Sequence, residues 1–272
     1  MTFLDMKTII FSYILSNFIC TIVMIILWKQ NRNHFKGTGF WVINFSFHTI
    51  GFILIALRGK IPDLLSMGLS NIMSMTGVLL SVMGLERFAG IKNRHILNII
   101  LLFIFSIIQI WFSVFEPSLP ARNVNVSAAG TLICLQGFRL AFFKVDKNIK
   151  KLTFNVGLIF LVFAIISIFR ISEIVLNPVQ SNDFFNSGLL NPLVMISFQM
   201  LFILLTYSLV LMFNGRLMME ISSKEEELLR KIEDLEKFNR VTVDRELKMI
   251  ELKKEINGLL KKTGNKEKYI IR

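Results

Sequence analysis

Few side chains in this sequence have the type and spacing to do chemistry, and most of those sit inside apolar runs. Asn44 and His48 stand four residues apart, so on a helix they share one face. Such a pair could ligate a haem or a metal, or close an interhelical hydrogen bond. The other histidines, His34 and His95, lie outside the apolar runs and offer no second intramembrane ligand. Arg170 and Glu173, three residues apart, could pair with each other or hold a small polar ligand. Gln109, Gln136 and Gln199 occupy three different runs, and their convergence would make a polar cavity. Arg139 lies near the end of its run, where it can snorkel. The ligand-binding candidates are thus Asn44, His48, Arg170, Glu173, Gln136 and Gln199. Cys20 and Cys134 form no metal or disulfide pattern and read as small packing residues. No run carries a carboxylate pair, H-E-x-x-H or G-x-S-x-G, and the seventh has no lysine for a retinal Schiff base. The expectation is a protein that is not an enzyme, with no catalytic residue, metal or cofactor.

The elements that must position these side chains are seven apolar stretches. They run approximately 8–28, 40–57, 64–85, 96–115, 123–143, 152–169 and 189–213. Hydrophobic residues make up 53% of the 272, and the mean hydropathy is +0.59, which a soluble domain of this length rarely reaches. Each stretch is long enough for a membrane helix, and none alternates like a barrel strand. The fold class expected is an all-α integral membrane protein: seven transmembrane helices, then a long cytoplasmic coiled-coil helix. Residues 1–214 form the span domain, 215–262 the helix, and 263–272 a flexible tail.

Charge sets the expected orientation. Lys29, Arg32, Lys36, Arg87, Lys92, Arg94, Lys144, Lys147, Lys150 and Lys151 fall in one set of alternate loops. Lys7, Arg58, Lys60, Arg122 and Arg170 fall in the other. The asymmetry places the N-terminus outside and the C-terminus in the cytoplasm of a cell-membrane protein. The net charge of +12 then reflects topology and contact with anionic lipid rather than nucleic-acid binding. Asp5 offsets Lys7 and no small-residue cleavage site follows Trp28, so the first stretch reads as a retained span. The longest loop, Ser172–Gly188, is expected outside, with turn signals at Asn177-Pro178 and Ser181-Asn182-Asp183.

Beyond Phe213 the chain turns rich in Glu, Lys and Leu, with no proline up to Lys262. Glu220–Lys224, Glu227–Lys231 and Glu233–Lys237 are spaced to support a helix. Leu228, Ile232, Leu235 and Asn239 write one heptad seam, and Met249, Leu252, Ile256 and Leu259 a second. The phase slips by three residues between them, near Phe238–Arg245, which is a stammer. A narrow seam with acidic flanks favours a parallel homodimer over a helix lying on the bilayer, and Asn239 favours two strands.

Three short motifs resemble those of a known group. Arg58-Gly59-Lys60-Ile61-Pro62-Asp63 closes the second stretch, Gly84-Leu85-Glu86-Arg87-Phe88-Ala89-Gly90 the third, and Asn214-Gly215-Arg216-Leu217 follows the seventh. Residues 1–217 resemble the multi-span N-terminal sensor region found ahead of GGDEF diguanylate cyclase and histidine kinase domains in prokaryotes. There the exit reads N-E-R-L; Gly215 stands here in place of the Glu, which would loosen the exit. Residues 238–257, FNRVTVDRELKMIELKKEIN, look like a helical segment of PAS-containing sensor proteins. The resemblance implies a sensory, signal-transducing membrane protein. No GG[DE]EF sequence, phosphoacceptor histidine on the cytoplasmic helix or Gly-rich ATP lid is present. The expected partners are therefore the lipid bilayer, a second copy, and a separate histidine kinase, cyclase or PAS-type protein. The alternative is a small-molecule transporter or channel, which would place charges nearer mid-bilayer.

The charge asymmetry makes a topological prediction. Reporter fusions after Gly90 and after Lys262 should both score cytoplasmic, and one after Asp183 external; an external signal at Lys262 would remove the sensory reading.

Overall fold

The computed structural model describes residues 5–32, 34–91, 94–177, 184–185, 190–262, 264, 266 and 269–270. Among these the chain is all helical, without strands. Seven helices are long and apolar enough to cross a membrane. They are α1 (Met6–Asn31), α2 (Thr38–Ala56), α3 (Ser70–Phe88), α4 (Ile96–Ile110), α5 (Leu119–Arg139), α6 (Lys147–Leu176) and α7 (Leu190–Lys262). Three π-helical turns extend them: Leu64–Leu69 leads into α3, Trp111–Phe115 prolongs α4, and Leu140–Lys144 prolongs α5.

The chain divides into two compact units, residues 1–215 and 216–272. In the first unit helices meet where side chains are small. On α3 and its leading turn Ser66, Ser70, Ser74, Gly77, Ser81 and Gly84 recur at three- and four-residue steps, and all are buried. On α5 Asn123, Ser127, Gly130, Cys134 and Gly137 do the same. In lipid no hydrophobic force presses helices together, and close backbone approach of this kind is how such helices make contact. A Cβ on Gly77 would stand 2.8 Å from Asn44 Oδ1 and 3.1 Å from its carbonyl, so α2 leaves no room for one. Gly137 and Gly157 likewise abut Phe160 and Phe142 across the α5–α6 contact.

Many buried hydroxyls are satisfied by backbone. Thr21, Thr49, Ser70, Ser74, Ser113, Thr131 and Thr206 each donate to the carbonyl four residues back. Thr21 and Thr49 also meet at 3.1 Å and join α1 to α2.

The residue motifs at the helix ends have clear local roles. Gly90 (φ +74) closes α3, with the Ile91 N–H bonded to the Glu86 carbonyl and the Gly90 N–H to that of Arg87. This is the Schellman pattern, which uses the left-handed conformation glycine adopts freely. Gly37 (φ +98) opens α2, and a Cβ there would also stand 2.7 Å from the Gly84 carbonyl.

Several boundaries differ from those expected. Helix α5 starts at Leu119, capped by Ser118 and helped by Pro120 in its first turn. Arg122 is therefore inside a helix and buried, not in a loop; its guanidinium donates to the Phe112 carbonyl at 3.0 Å. Helix α6 continues seven residues past Phe169, so Arg170 and Glu173 lie within it, and Ser172–Leu176 are helical, not loop. Of the turn signals in that loop, residues 178 and 181–183 lie outside the described residues.

Gly215 is an interior residue of α7, and its missing Cβ accommodates Leu152, whose Cδ2 would otherwise be 2.5 Å away. In the second unit α7 carries its two heptad seams exposed: Leu228, Ile232, Leu235, Met249, Leu252 and Leu259 are each at least half uncovered. Glu227 pairs with Lys231 at 2.7 Å, as spaced, whereas Glu220 pairs with Arg216 rather than Lys224. Within residues 263–272, expected to be a flexible tail, Tyr269 bonds to Asn257 of α7. The Asn257 amide donates to the Tyr269 carbonyl at 2.7 Å and accepts from the Tyr269 N–H at 3.1 Å.

The α2–α3 packing gives a direct test. Gly77→Leu overpacks the contact with Asn44 and should destabilise the purified protein by about 1–3 kcal/mol. Gly258→Ala, where a Cβ meets nothing within 4 Å, should leave the thermal midpoint unchanged or higher.

Candidate functional site

Between the helices of the first unit lies a cavity of about 100 Å³. Six helices contribute to its wall: α1, α2, α3, α5, α6 and α7, with α4 left outside. Helical rise of about 1.5 Å per residue gives its depth. Arg170 sits six residues before the end of α6, and His48 eight before the end of α2. Ser127 sits eight residues after the start of α5, and Met195 five after that of α7. Each is thus some 7 to 12 Å in from the same end of the bundle, the end where α1 and α7 begin.

The polar part of the wall is unusual. Arg170 is 5% exposed and donates through Nη2 to Asn191 Oδ1 at 3.1 Å, while its Nε has no partner. His48 is 4% exposed and neither ring nitrogen has a hydrogen bond. Ser127 Oγ, 2% exposed, is also without one. Buried donors and acceptors are nearly always paired, so three such groups around one space call for an occupant. Among the described residues no acidic side chain lines the cavity. The remainder is apolar and aromatic: Tyr13, Phe52, Phe163, Phe198 and Phe202.

Phe202 holds this wall together. Its ring meets His48 at 4.3 Å, Phe163 at 5.4 Å, Phe45 at 5.8 Å and Tyr13 at 6.2 Å between centroids. Tyr13 in turn stacks on Phe52 at 3.8 Å. Phe163 and Phe202 also bound a second space of about 30 Å³, lined by Asn44 and Ser81. The Asn44 amide and Ser81 Oγ lack partners there.

The candidates named from sequence separate accordingly. His48 and Arg170 come together on the main cavity. Asn44, one turn from His48, faces the smaller space behind Phe202. Glu173 is partly exposed and forms no ion pair with Arg170; among the described residues the pairs are His95–Glu86, Arg216–Glu220 and Lys231–Glu227. The three glutamines do not converge. Gln109 is fully buried among α3, α4 and α5, donating to the Met67 carbonyl and accepting from Asn125. Gln136 faces outward from α5, and Gln199 donates to Ser12 on α1 at 2.9 Å. Gln109 and Gln136 lie on neighbouring helices, α4 and α5, but one is buried and the other exposed. Among the described residues no cluster of metal-ligating side chains forms. Sequence reasoning passed over Ser127 and Ser167; the small-residue stripe on α5 was the signal that would have found the first.

No protein-family model, curated protein or solved structure matches the chain.

Phe202→Ala should merge the two spaces and remove four ring contacts. It should destabilise the purified protein by about 3–5 kcal/mol, the usual cost of deleting a buried Phe. The exposed control Phe143→Ala should shift the thermal midpoint far less.

Proposed function

We propose that the chain is a membrane-embedded sensory protein that relays a stimulus through α7 to an output partner. One observation carries this reading. Helix α7 lines the internal cavity with Met195, Phe198 and Phe202, and the same helix is unbroken to Lys262. A change of packing in the cavity has a continuous helix to act upon. A stimulus need only favour one of two bundle arrangements of similar free energy.

In this proposal residues 1–214 cross the cell membrane seven times, N-terminus outside, and residues 215–262 form a parallel dimeric coiled coil in the cytoplasm. Asn239 selects two strands, and the stammer near Phe238–Arg245 is where rotation or a piston shift changes phase. A histidine kinase, a cyclase or a PAS-type protein reads the coil, and residues 1–272 carry no nucleotide chemistry of their own. The resemblance of residues 1–217 and 238–257 to sensory proteins supports the same assignment. So do the exposed seams, since burying one such Leu is worth about 1.5–3 kcal/mol and a second copy supplies the cover.

Disulfide crosslinking in native membranes tests the output arm. Leu252→Cys should join chains under mild oxidation, and Lys254→Cys, on the opposite side of the seam, should do so far less. Equal crosslinking at both positions, or none at either, would remove the dimeric coil and with it the proposed route.

A further inference from the structure

We propose that the main cavity is a binding site for a small monocarboxylate with a short apolar tail, held through Arg170. The polar groups on the wall are complementary to an anion. Arg170 offers an unpartnered Nε–H beside an Nη2 already fixed by Asn191, so its fork is oriented before any ligand arrives. A planar guanidinium matches a carboxylate with two parallel hydrogen bonds. Ser127 and His48 supply further uncommitted groups. Among the described residues no carboxylate lines the cavity, and Glu173, close enough to act on the guanidinium through space, stays outside ion-pair distance of it. A cation this far inside a bundle is costly unless it is compensated, and a bound anion compensates it.

The rest of the wall selects the tail. Phe163, Phe198, Phe202 and Met195 give it no hydrogen bond to make. A dry cavity of roughly 150 Å³ accepts benzene, so about 100 Å³ admits a few carbon atoms beside a carboxylate. That favours ions of propionate or butyrate size over long-chain acids. Inorganic anions satisfy Arg170 but leave the aromatic wall uncovered.

Binding itself does not require the sensory reading; only the ligand's role as stimulus rests on it. The purified full chain, reconstituted in lipid nanodiscs, is titrated calorimetrically with acetate, propionate, butyrate and octanoate, and with propionamide and phosphate. Propionate or butyrate should bind most tightly, with propionamide and phosphate at least roughly tenfold weaker, since a hydrogen-bonded charge or a filled apolar wall is lost. Arg170→Gln should weaken butyrate roughly tenfold or more. Gly130→Leu is a second variant that keeps the arginine. A Cβ at Gly130 meets only Ser167 Oγ at 3.9 Å and Met75 Sδ at 4.0 Å, so the larger side chain grows into the space. It should abolish binding while the thermal midpoint is retained. Failure of every carboxylate to bind, equal binding of propionamide or phosphate, or unchanged binding in either folded variant would overturn the proposal. Butyrate-dependent change in the Leu252→Cys crosslink is the separate arm for the sensory reading. Binding without such a change would leave the site standing and remove its role as stimulus.

Discussion

The arrangement of the bundle depends on one ring. Phe202 touches side chains from α1, α2 and α6 while belonging to α7. Its backbone carbonyl also accepts the Thr206 hydroxyl one turn on. An aromatic ring in edge-on contact with several neighbours is held in direction as well as position, because each pair favours the same quadrupole geometry. The cavity and the smaller space behind it are what remains when four helices meet a flat ring of fixed orientation. A second ring of this kind, Phe213, sits three turns farther on and contacts Phe35, Trp41 and Phe88 at centroid distances of 5.4 to 6.0 Å. Between them α7 is fastened at two levels.

What surrounds these rings is set by the cost of polarity in an apolar medium. Most hydroxyls find the carbonyl four residues back, which needs no partner helix. Trp41 reaches across to the Ser81 carbonyl at 3.0 Å, and Asn125 to Gln109 and the Phe105 carbonyl. Against that background the uncommitted atoms of His48, Ser127 and Arg170 are informative because all three face one space, whereas those of Asn44 and Ser81 face the smaller one and those of Asn17 face neither.

Much of this architecture was legible in the sequence. All seven apolar stretches correspond to helices, and 96–115 coincides with α4 and its π turn. The errors share a cause. Arg122, Arg170 and Glu173 read as loop charges because hydropathy falls where they occur, yet the helical hydrogen-bond ladder runs on through them. Arginine is a good helix former, and its charge alone does not end a helix. The cavity was less legible. His48 and Arg170 were both singled out, but their meeting depends on the rotation of α2 against α6, to which neither residue's neighbours point. Gln136 and Gln199 fit the same polarity argument and face elsewhere. The stripes of small residues on α3 and α5 were present at three- and four-residue spacing and marked the inward faces of those two helices, which already turns Gln136 outward.

The helices also differ in length, and in the proposed membrane setting lipid thickness would give that difference a consequence. With its π turn, α4 has 20 residues, about 30 Å at helical rise, which equals the hydrocarbon core of an ordinary bilayer. It can cross only when nearly upright. Helix α1 has 26 residues, about 39 Å, and must lean by roughly 40° or extend into the headgroups. A thickening bilayer can be met by α1 standing straighter, whereas α4 has no tilt left to give up. It is also the span least covered by its neighbours, with 17% of its apolar window buried. Helix α2, with 19 residues, is as short but better covered by its neighbours, so mismatch would bear on both and meet lipid most directly at α4, away from the cavity.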